Sequence, residues 1–209
     1  MVSAPSGTVK YHTSGMPTDS VTLESEPGVH EHRGRLLEGM AIAVAQKGYA
    51  DTTIADIVRE ASVSRRTFYE YFATKADCLV ALYEAASHNA LKVLRAAIAQ
   101  PHAWEQRVED ALRAYLECMA SNPVLMRTLF VEILHLGAEG LAARRRVNQE
   151  IAEYMLEVVG RDKVTPQLAM AVVGGIHELV LQAIEEGRVE RLAELTPTAA
   201  ALVKAVVHR

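Results

Sequence analysis

The sequence predicts an all-α protein, and three observations support this prediction. Apolar residues recur at helical spacing from about residue 30 onward, as in the series Leu36, Leu37, Met40, Ala41, Val44 and Ala45. No stretch alternates apolar and polar residues over the length of a strand. Glycine and proline stand mainly between the periodic segments, where helices begin and end. The chain is therefore expected to consist of packed helices alone.

Eight or nine helices are expected after an N-terminal arm over residues 1–29, which is rich in Ser, Thr, Gly and Pro and predicted to be flexible. Three of them begin at a capping residue followed by proline, at Asn122-Pro123, Thr165-Pro166 and Thr196-Pro197. The helices are predicted over about residues 31–47, 53–61, 64–71, 75–99, 101–121, 122–136, a segment ending near 160, 165–187 and 197–207.

Composition limits the class of protein. The 209 residues are 50% hydrophobic and 23% charged, which is typical of a globular chain. No uninterrupted apolar run approaches the ~18 residues of a membrane-spanning helix, and the arm lacks the apolar core of a signal peptide. A soluble, cytoplasmic protein without membrane contact is expected. The net charge of −4 excludes a diffuse polycation, so any contact with DNA must be local.

Between Tyr49 and Lys75, three short helical segments follow one another over tight turns. Thr53 and Ser64 are good N-caps, and the three-residue turn that ends at Ser64 carries the apolar Val63, which can fill the angle between two helices. Two short helices that cross over such a turn form a helix-turn-helix. A three-helix domain with this motif is predicted over residues 30–77.

The second helix of this motif has one apolar and one polar face. Phe68 and Phe72, four residues apart, are expected to face the core. The remaining surface is left to Arg65, Arg66, Thr67, Tyr69 and Glu70. Arginine at the start of a recognition helix can read guanine edges, whereas Thr and Tyr hydroxyls and Lys75 suit phosphate oxygens. The helix N-termini at Thr53 and Ser64 also attract phosphate. The alternative is that Tyr69 and Tyr71 are core aromatics and the arginines a solvated face.

This part of the sequence resembles the N-terminal signature of the TetR (tetracycline-repressor-like) family of transcriptional regulators. The resemblance rests on Gly48–Val58, Ala61–Ser64, Thr67–Phe72, Lys75 and Leu79 at fixed spacing. It implies a homodimer that binds operator DNA, most often as a repressor. It also implies a phosphate contact at Thr53, base contacts at Arg65 and Arg66, contacts to backbone or base at Thr67, Tyr69 and Tyr71, and a phosphate contact at Lys75.

The second domain, predicted over residues 78–209, contains a helix that is apolar nearly all round. This helix, over 165–187, should be buried on several sides, and Gly174, Gly175 and its alanines permit close approach of a second backbone. A dimer interface formed with the last helix, over 197–207, explains this pattern, and the family resemblance implies the same arrangement. The alternative is the central helix of a monomeric bundle.

The second domain is also a candidate for ligand binding. Its aromatic, Met and polar residues predict the lining of a site for a largely apolar small molecule between the fifth and eighth helices. The candidates are Trp104, Tyr115, Met119, Met126, Phe130, Tyr154, His177 and Glu178. Residues of these types at helical spacing are more often part of a core, and the sequence favours a hydrogen bond inside the fold for His177 over contact with a ligand.

The sequence gives little support for catalysis, metal binding or cofactor binding. His177 and Glu178 could form an acid–base pair, but no nucleophile accompanies them, so an enzyme is the weaker alternative to a regulator. The segment His30-Glu31-His32 is too short and too close to the terminus to predict a metal site, and no cofactor motif is found. The sequence thus predicts a transcriptional regulator that binds operator DNA and responds to an apolar effector.

Overall fold

The computed structural model describes the backbone of residues 27–207 and the side chains of residues 31–207. This part of the chain contains nine α-helices, two 3₁₀ segments and no strand, which confirms the all-α prediction. The predicted arm lies outside the described residues, apart from its last three residues, which form the start of the first helix. The helices are α1 (Pro27–Asp51), α2 (Ile54–Glu60), α3 (Arg65–Tyr71), α4 (Lys75–Ile98), α5 (Trp104–Ala120), α6 (Pro123–Phe130), α7 (Ala138–Val159), α8 (Pro166–Glu185) and α9 (Thr196–Val207).

The first three helices and the start of α4 enclose a small core. Leu36 and Met40 of α1, Ile57 of α2, Phe68 of α3 and Leu79 of α4 are fully buried there. Val63, in the turn between α2 and α3, is half-buried and packs against this core, as its apolar side chain predicts. The turn thereby fixes the angle at which α3 leaves α2.

The crossing of α1 over α2 depends on a glycine. A Cβ atom at Gly39 would lie 2.6 Å from the carbonyl oxygen of Ile57 and 2.8 Å from the backbone nitrogen of Ala61. Any side chain there would force the two helices apart, since real Cβ atoms do not approach backbone so closely. Periodicity in the sequence does not indicate this contact.

The remaining helices form a larger helical domain. α4 packs against α5 and α7, α8 packs against α7, and α9 packs against both α5 and α8. By length and composition alone, α8 could cross a membrane. Its side chains at Ala169, Val172, Val173, Ile176, Val180, Ala183 and Ile184 are instead buried in the fold, as in the core helix of a bundle.

The predicted helix over 122–136 is interrupted. It ends as α6 at Phe130 and continues, after Val131, as a 3₁₀ segment over Glu132–Leu136. The interruption brings the Ile133 carbonyl against α7, where a Cβ atom at Gly140 would lie 1.9 Å from its oxygen. A second 3₁₀ segment, Val189–Leu195, was not predicted and buries Leu192. The first of these segments packs against α1 and α4 and the second against α5, and periodicity does not reveal such contacts between distant parts of the chain.

Candidate nucleic-acid interface and ligand cavity

The first turn of α3 is stabilised by its own side chains. The Ser64 hydroxyl accepts a hydrogen bond from the Thr67 backbone N–H at 2.9 Å, and the two hydroxyl oxygens lie 2.9 Å apart. Below them, the ring of Phe68 is buried against Phe72, with centroids 5.8 Å apart. α3 is therefore held by a cap at its start and by an aromatic pair on its inner face.

The outer face of α3 carries the candidate base-reading groups. Arg65 is exposed and forms no ion pair within residues 31–207. Arg66 is 90% exposed and pairs with Glu70, with Nε 3.2 Å from the carboxylate oxygen. Such an exposed pair is weak in water, so Arg66 can exchange Glu70 for another partner. Tyr69, 59% exposed, lies beside the arginines and packs its ring edge against Phe68.

Tyr71 does not share the exposure of Tyr69. Its side chain is half-buried and packs against the core of the first domain. The sequence left open whether Tyr69 and Tyr71 are surface or core residues. Tyr69 lies on the surface, and Tyr71 lies between the surface and the core, so contact with DNA at Tyr71 is restricted to the exposed part of its side chain.

Thr53 caps α2 through a reciprocal set of hydrogen bonds. Its hydroxyl lies 2.6 Å from a carboxylate oxygen of Asp56 and accepts a hydrogen bond from the Asp56 backbone N–H. The Asp56 carboxylate also contacts Lys47 at 2.6 Å, and these hydrogen bonds hold its pKa well below the usual range. The hydroxyl of Thr53 is therefore already engaged at the N-terminus of α2, where a phosphate contact is predicted.

Lys75 has an internal role that the sequence did not predict. Its ammonium group donates hydrogen bonds to the carbonyl oxygens of Tyr49 at 2.8 Å and Thr52 at 2.7 Å, and it lies 4.1 Å from the Tyr49 ring centroid. These carbonyls follow Gly48, whose φ of 78° ends the regular part of α1. Lys75 thus joins the first residue of α4 to the end of α1 instead of extending freely toward a phosphate.

The first domain contacts the second through Glu132, a residue that the sequence did not single out. Its carboxylate accepts a hydrogen bond from the Tyr49 backbone N–H at 2.9 Å and lies 3.1 Å from Nδ1 of His135. Glu132 follows α6 by two residues. A displacement of α6 would therefore act directly on the end of α1, the same place where Lys75 binds.

A cavity of about 560 Å³, partly open to solvent, lies among α4, α5, α7, α8 and α9. This volume includes the space at its mouth, so the enclosed part is smaller. No charged residue lines this apolar cavity, as is usual for the sites of apolar small molecules. The lining residues are Leu94, Ile98, Trp104, Val108, Ala111, Leu112, Ile151, Tyr154, Met155, Val158, Val159, Val172, Val173, Ile176 and Val203.

The predicted ligand residues divide between two cavities. Trp104 and Tyr154 line the apolar cavity. A smaller cavity, of about 340 Å³ with the open space at its mouth included, lies nearer α6 and is lined by the other five candidates that face the interior, namely Tyr115, Met119, Met126, Phe130 and His177. Most of the aliphatic residues of the apolar cavity were missed, because Val, Ile and Leu at helical spacing do not differ in sequence from a packed core.

His177 is hydrogen-bonded inside the fold. Its Nε2 lies 2.9 Å from the Tyr115 hydroxyl and its Nδ1 lies 3.1 Å from the side-chain oxygen of Asn148. Burial and the nearby Arg144 lower the pKa of His177 to about 4. A neutral ring fits both contacts if Nδ1–H donates to Asn148 and Nε2 accepts from Tyr115.

Glu178 does not lie with the interior residues, contrary to the prediction that it contacts a ligand beside His177. Its side chain is exposed, whereas that of the neighbouring His177 is buried. Adjacent residues of a helix differ by about 100° in direction, so both cannot face one cavity. The acid–base pair considered for an enzyme is consequently not assembled.

One face of α8 is uncovered within the chain. Ala171 and Glu178 are exposed there, and a Cβ atom at Gly174 would meet no atom within 4 Å. Gly175 differs, because its Cβ would lie 3.3 Å from the Leu202 side chain of α9. Gly174 therefore marks the open surface, whereas Gly175 serves the packing of α8 against α9.

Comparison with known proteins gives a family match for the first part of the chain and solved structures of similar fold for most of it. Residues 37–82 match the family described as bacterial regulatory proteins, tetR family. FadR from Bacillus subtilis, solved in complex with stearoyl-CoA, superposes with a TM-score of 0.71 at 16% identity, over 81% of this chain and 96% of that one. FadR of Bacillus halodurans gives 0.70 at 16% identity, over 81% and 96%. The regulatory protein TetR of Rhodobacter sphaeroides gives 0.63 at 23% identity, over 82% and 98%. No curated protein sequence matches the chain.

The fold and the helix-turn-helix define a DNA-binding transcriptional regulator. The first helices carry the family match, and the helical arrangement over 81 to 82% of the chain is shared with solved structures of regulatory proteins. Residues 37–82 thus carry the tetR family match, and over the rest of the chain the likeness to these regulators is one of fold.

Proposed function

We propose that the protein is a ligand-responsive repressor that binds a palindromic operator as a homodimer. In this proposal, residues 30–77 bind DNA and residues 78–209 bind the effector and the second subunit. Each subunit inserts α3 into the major groove, so the two half-site centres lie about 34 to 36 Å apart. A cytoplasmic location follows, because the target is DNA.

The outer face of α3 is the observation that carries this proposal. Arg65, Arg66 and Tyr69 are exposed together at the start of a helix that is fixed from behind by Phe68. Arginine forms bidentate hydrogen bonds with guanine O6 and N7, and each such pair discriminates against a wrong base by ~1 to 3 kcal/mol. The predicted contacts at Thr53, Ser64, Thr67 and Tyr71 would position α3 on the phosphate backbone.

Dimerisation is supported by the uncovered face of α8. Ala171 and Gly174 leave its backbone accessible, and Ala201 and Ala205 are exposed on the neighbouring α9. Small residues on two adjacent helices allow the same pair of helices in a second subunit to approach closely, and an isologous contact of this kind gives a two-fold axis. That axis would match the palindrome.

Effector binding in the apolar cavity would reach the DNA-binding helices through α4. Leu94 and Ile98 line the cavity near the end of α4, whereas Lys75 binds the end of α1 at its start. The 24 residues between these ends span ~36 Å. The effector would release DNA only as far as it binds more tightly to a state with a different α3 separation. The stearoyl-CoA complex of the Bacillus subtilis relative supports an effector with a long apolar part.

Enrichment of DNA fragments by the purified protein, followed by sequencing, tests this function. We expect a palindromic consensus and an affinity that falls steeply as salt rises, since phosphate contacts release counterions. Enrichment without any consensus would contradict sequence-specific regulation.

A further inference from the structure

A second cavity adjoins the apolar cavity and differs from it in charge. We call it the cationic vestibule, because Arg107 and Lys163 line it and no acidic residue does. It shares Trp104, Val158 and Val159 with the apolar cavity. The two cavities therefore have these three side chains in common, where α5 begins and α7 ends.

Two buried donors at this boundary have no acceptor within residues 31–207. They are Nε1 of Trp104 and Nε of Arg107, and the guanidinium carbon of Arg107 lies 5.7 Å from the Trp104 ring centroid. Buried N–H groups are nearly always hydrogen-bonded, so each of these donors needs an acceptor from water or from a ligand.

The charges near the boundary specify that acceptor further. Neither Arg107 nor Lys163 forms an ion pair with any acidic residue of the described chain. Arginine and lysine together favour an anion, and a carboxylate or phosphate can also accept from the indole N–H.

We propose that the effector is a single-chain amphiphile with an aliphatic tail and an anionic headgroup. The tail occupies the apolar cavity, and the headgroup lies in the cationic vestibule, where it accepts hydrogen bonds from Trp104 and Arg107 and is attracted by Lys163. The tail must be free of charged groups, because no charged residue lines the apolar cavity. This inference rests on the proposed function and specifies the chemical class of the effector.

Two ligands of equal chain length but different headgroups distinguish the contribution of the headgroup to affinity from that of the tail. Dodecanoate and 1-dodecanol, each below its aggregation concentration, are titrated into the full chain by calorimetry. Lys163→Gln removes one charge from an exposed position, and Arg107→Gln removes the other together with the buried Nε. Arg113→Gln changes an exposed arginine of the same helix, outside both cavities, and is the matched control. Melting temperatures show whether each variant is folded.

We expect dodecanoate to bind wild type more tightly than 1-dodecanol by about tenfold or more, as for a charge-assisted hydrogen bond. Lys163→Gln and Arg107→Gln should remove that preference while leaving 1-dodecanol affinity and the control variant unchanged. Dodecanoyl-CoA is titrated in parallel to distinguish a free carboxylate from a phosphorylated carrier. Of dodecanoate and dodecanoyl-CoA, the ligand that loses more affinity in Lys163→Gln carries the headgroup that the vestibule binds.

Equal binding of the acid and the alcohol, or a preference that survives both substitutions, would overturn the anionic headgroup but leave an apolar effector in place. Binding of no chain at all would overturn the amphiphile and the use of the apolar cavity. Enrichment of an operator by the same protein preparation would still support the DNA-binding function, so the two failures are distinguishable.

Discussion

At the scale of single residues, Lys75 shows how a side chain suited to phosphate can instead be used inside the fold. Its ammonium group donates hydrogen bonds to two carbonyl oxygens at the end of α1. In the sequence, these carbonyls precede the helix-turn-helix, whereas Lys75 follows it. A sequence motif indicates the residue type at this position but not the direction of its side chain. That direction depends on Gly48, which turns the Tyr49 and Thr52 carbonyls toward α4.

We predict that Lys75→Gln lowers the free energy of unfolding by about 1 to 3 kcal/mol, the cost of leaving carbonyl groups without a charged donor. The slope of log affinity for DNA against log salt should stay unchanged. Lys92→Gln, at an exposed position of the same helix, is the control. Urea unfolding and salt titrations measure the two effects. A slope flattened by about 0.9 for each phosphate that is no longer bound, together with full stability, would show that Lys75 binds phosphate instead.

His177 predicts a pH dependence of stability. Burial holds its pKa at about 4 in the folded state, below the ordinary value of 6.5, so the unfolded chain takes up a proton that the folded chain refuses. Stability is therefore fully present above about pH 6.5 and falls as the pH decreases toward 4. The loss reaches about 3 kcal/mol at the lower end, at 1.36 kcal/mol for each pKa unit.

Urea unfolding at pH 7.5, 6 and 5 measures this dependence. His177→Gln should be less stable at pH 7.5, because the hydrogen bonds with Tyr115 and Asn148 change, but its stability should vary less between pH 7.5 and 5 than that of wild type. An equally steep variation in His177→Gln would assign the effect to another group.

At the scale of the elements, the helix-turn-helix could be predicted because its signals are local. Thr53 and Ser64 are recognisable as caps, and the spacing of Phe68 and Phe72 indicates the inner face of α3. The structure contains both caps and this inner face. The break of the predicted 122–136 helix could not be predicted, since it depends on Gly140 of α7 meeting the Ile133 carbonyl. The apolar cavity could not be predicted either, because its aliphatic residues have the same spacing in the sequence as the residues of a packed core.

The face of α8 that stays open predicts the subunit interface. Gly174→Leu adds a side chain where nothing lies within 4 Å in the same chain, so the monomer fold should be retained while close approach of a second subunit is blocked. We expect this variant to sediment as a monomer and to bind the operator weakly. Gly175→Leu is the matched contrast, because it meets Leu202 within the chain and should lower stability. A dimeric Gly174→Leu with wild-type affinity would place the interface elsewhere.

At the scale of the whole molecule, a response to ligand requires that the apolar cavity and α3 are coupled. Ala111→Phe projects a ring into the cavity from α5, whereas Ala114→Phe changes a half-buried alanine of the same helix that does not line it. We expect Ala111→Phe to abolish dodecanoate binding and to make operator affinity insensitive to it. Both variants should keep the helical circular dichroism spectrum. Retained binding in Ala111→Phe would show that the ligand occupies another site.

Recognition of a specific DNA sequence through Arg65 and Arg66 of α3 is central to the proposed function, and fluorescence anisotropy with the enriched operator tests it most directly. Wild type, the variant carrying Arg65→Ala and Arg66→Ala, and an Arg145→Ala control at an exposed position of α7 are titrated with the operator and with a shuffled duplex at fixed salt. We predict that the double variant loses its preference for the operator, at ~1 to 3 kcal/mol for each bidentate contact, while the control keeps it. An undiminished preference in the double variant would contradict base recognition by α3.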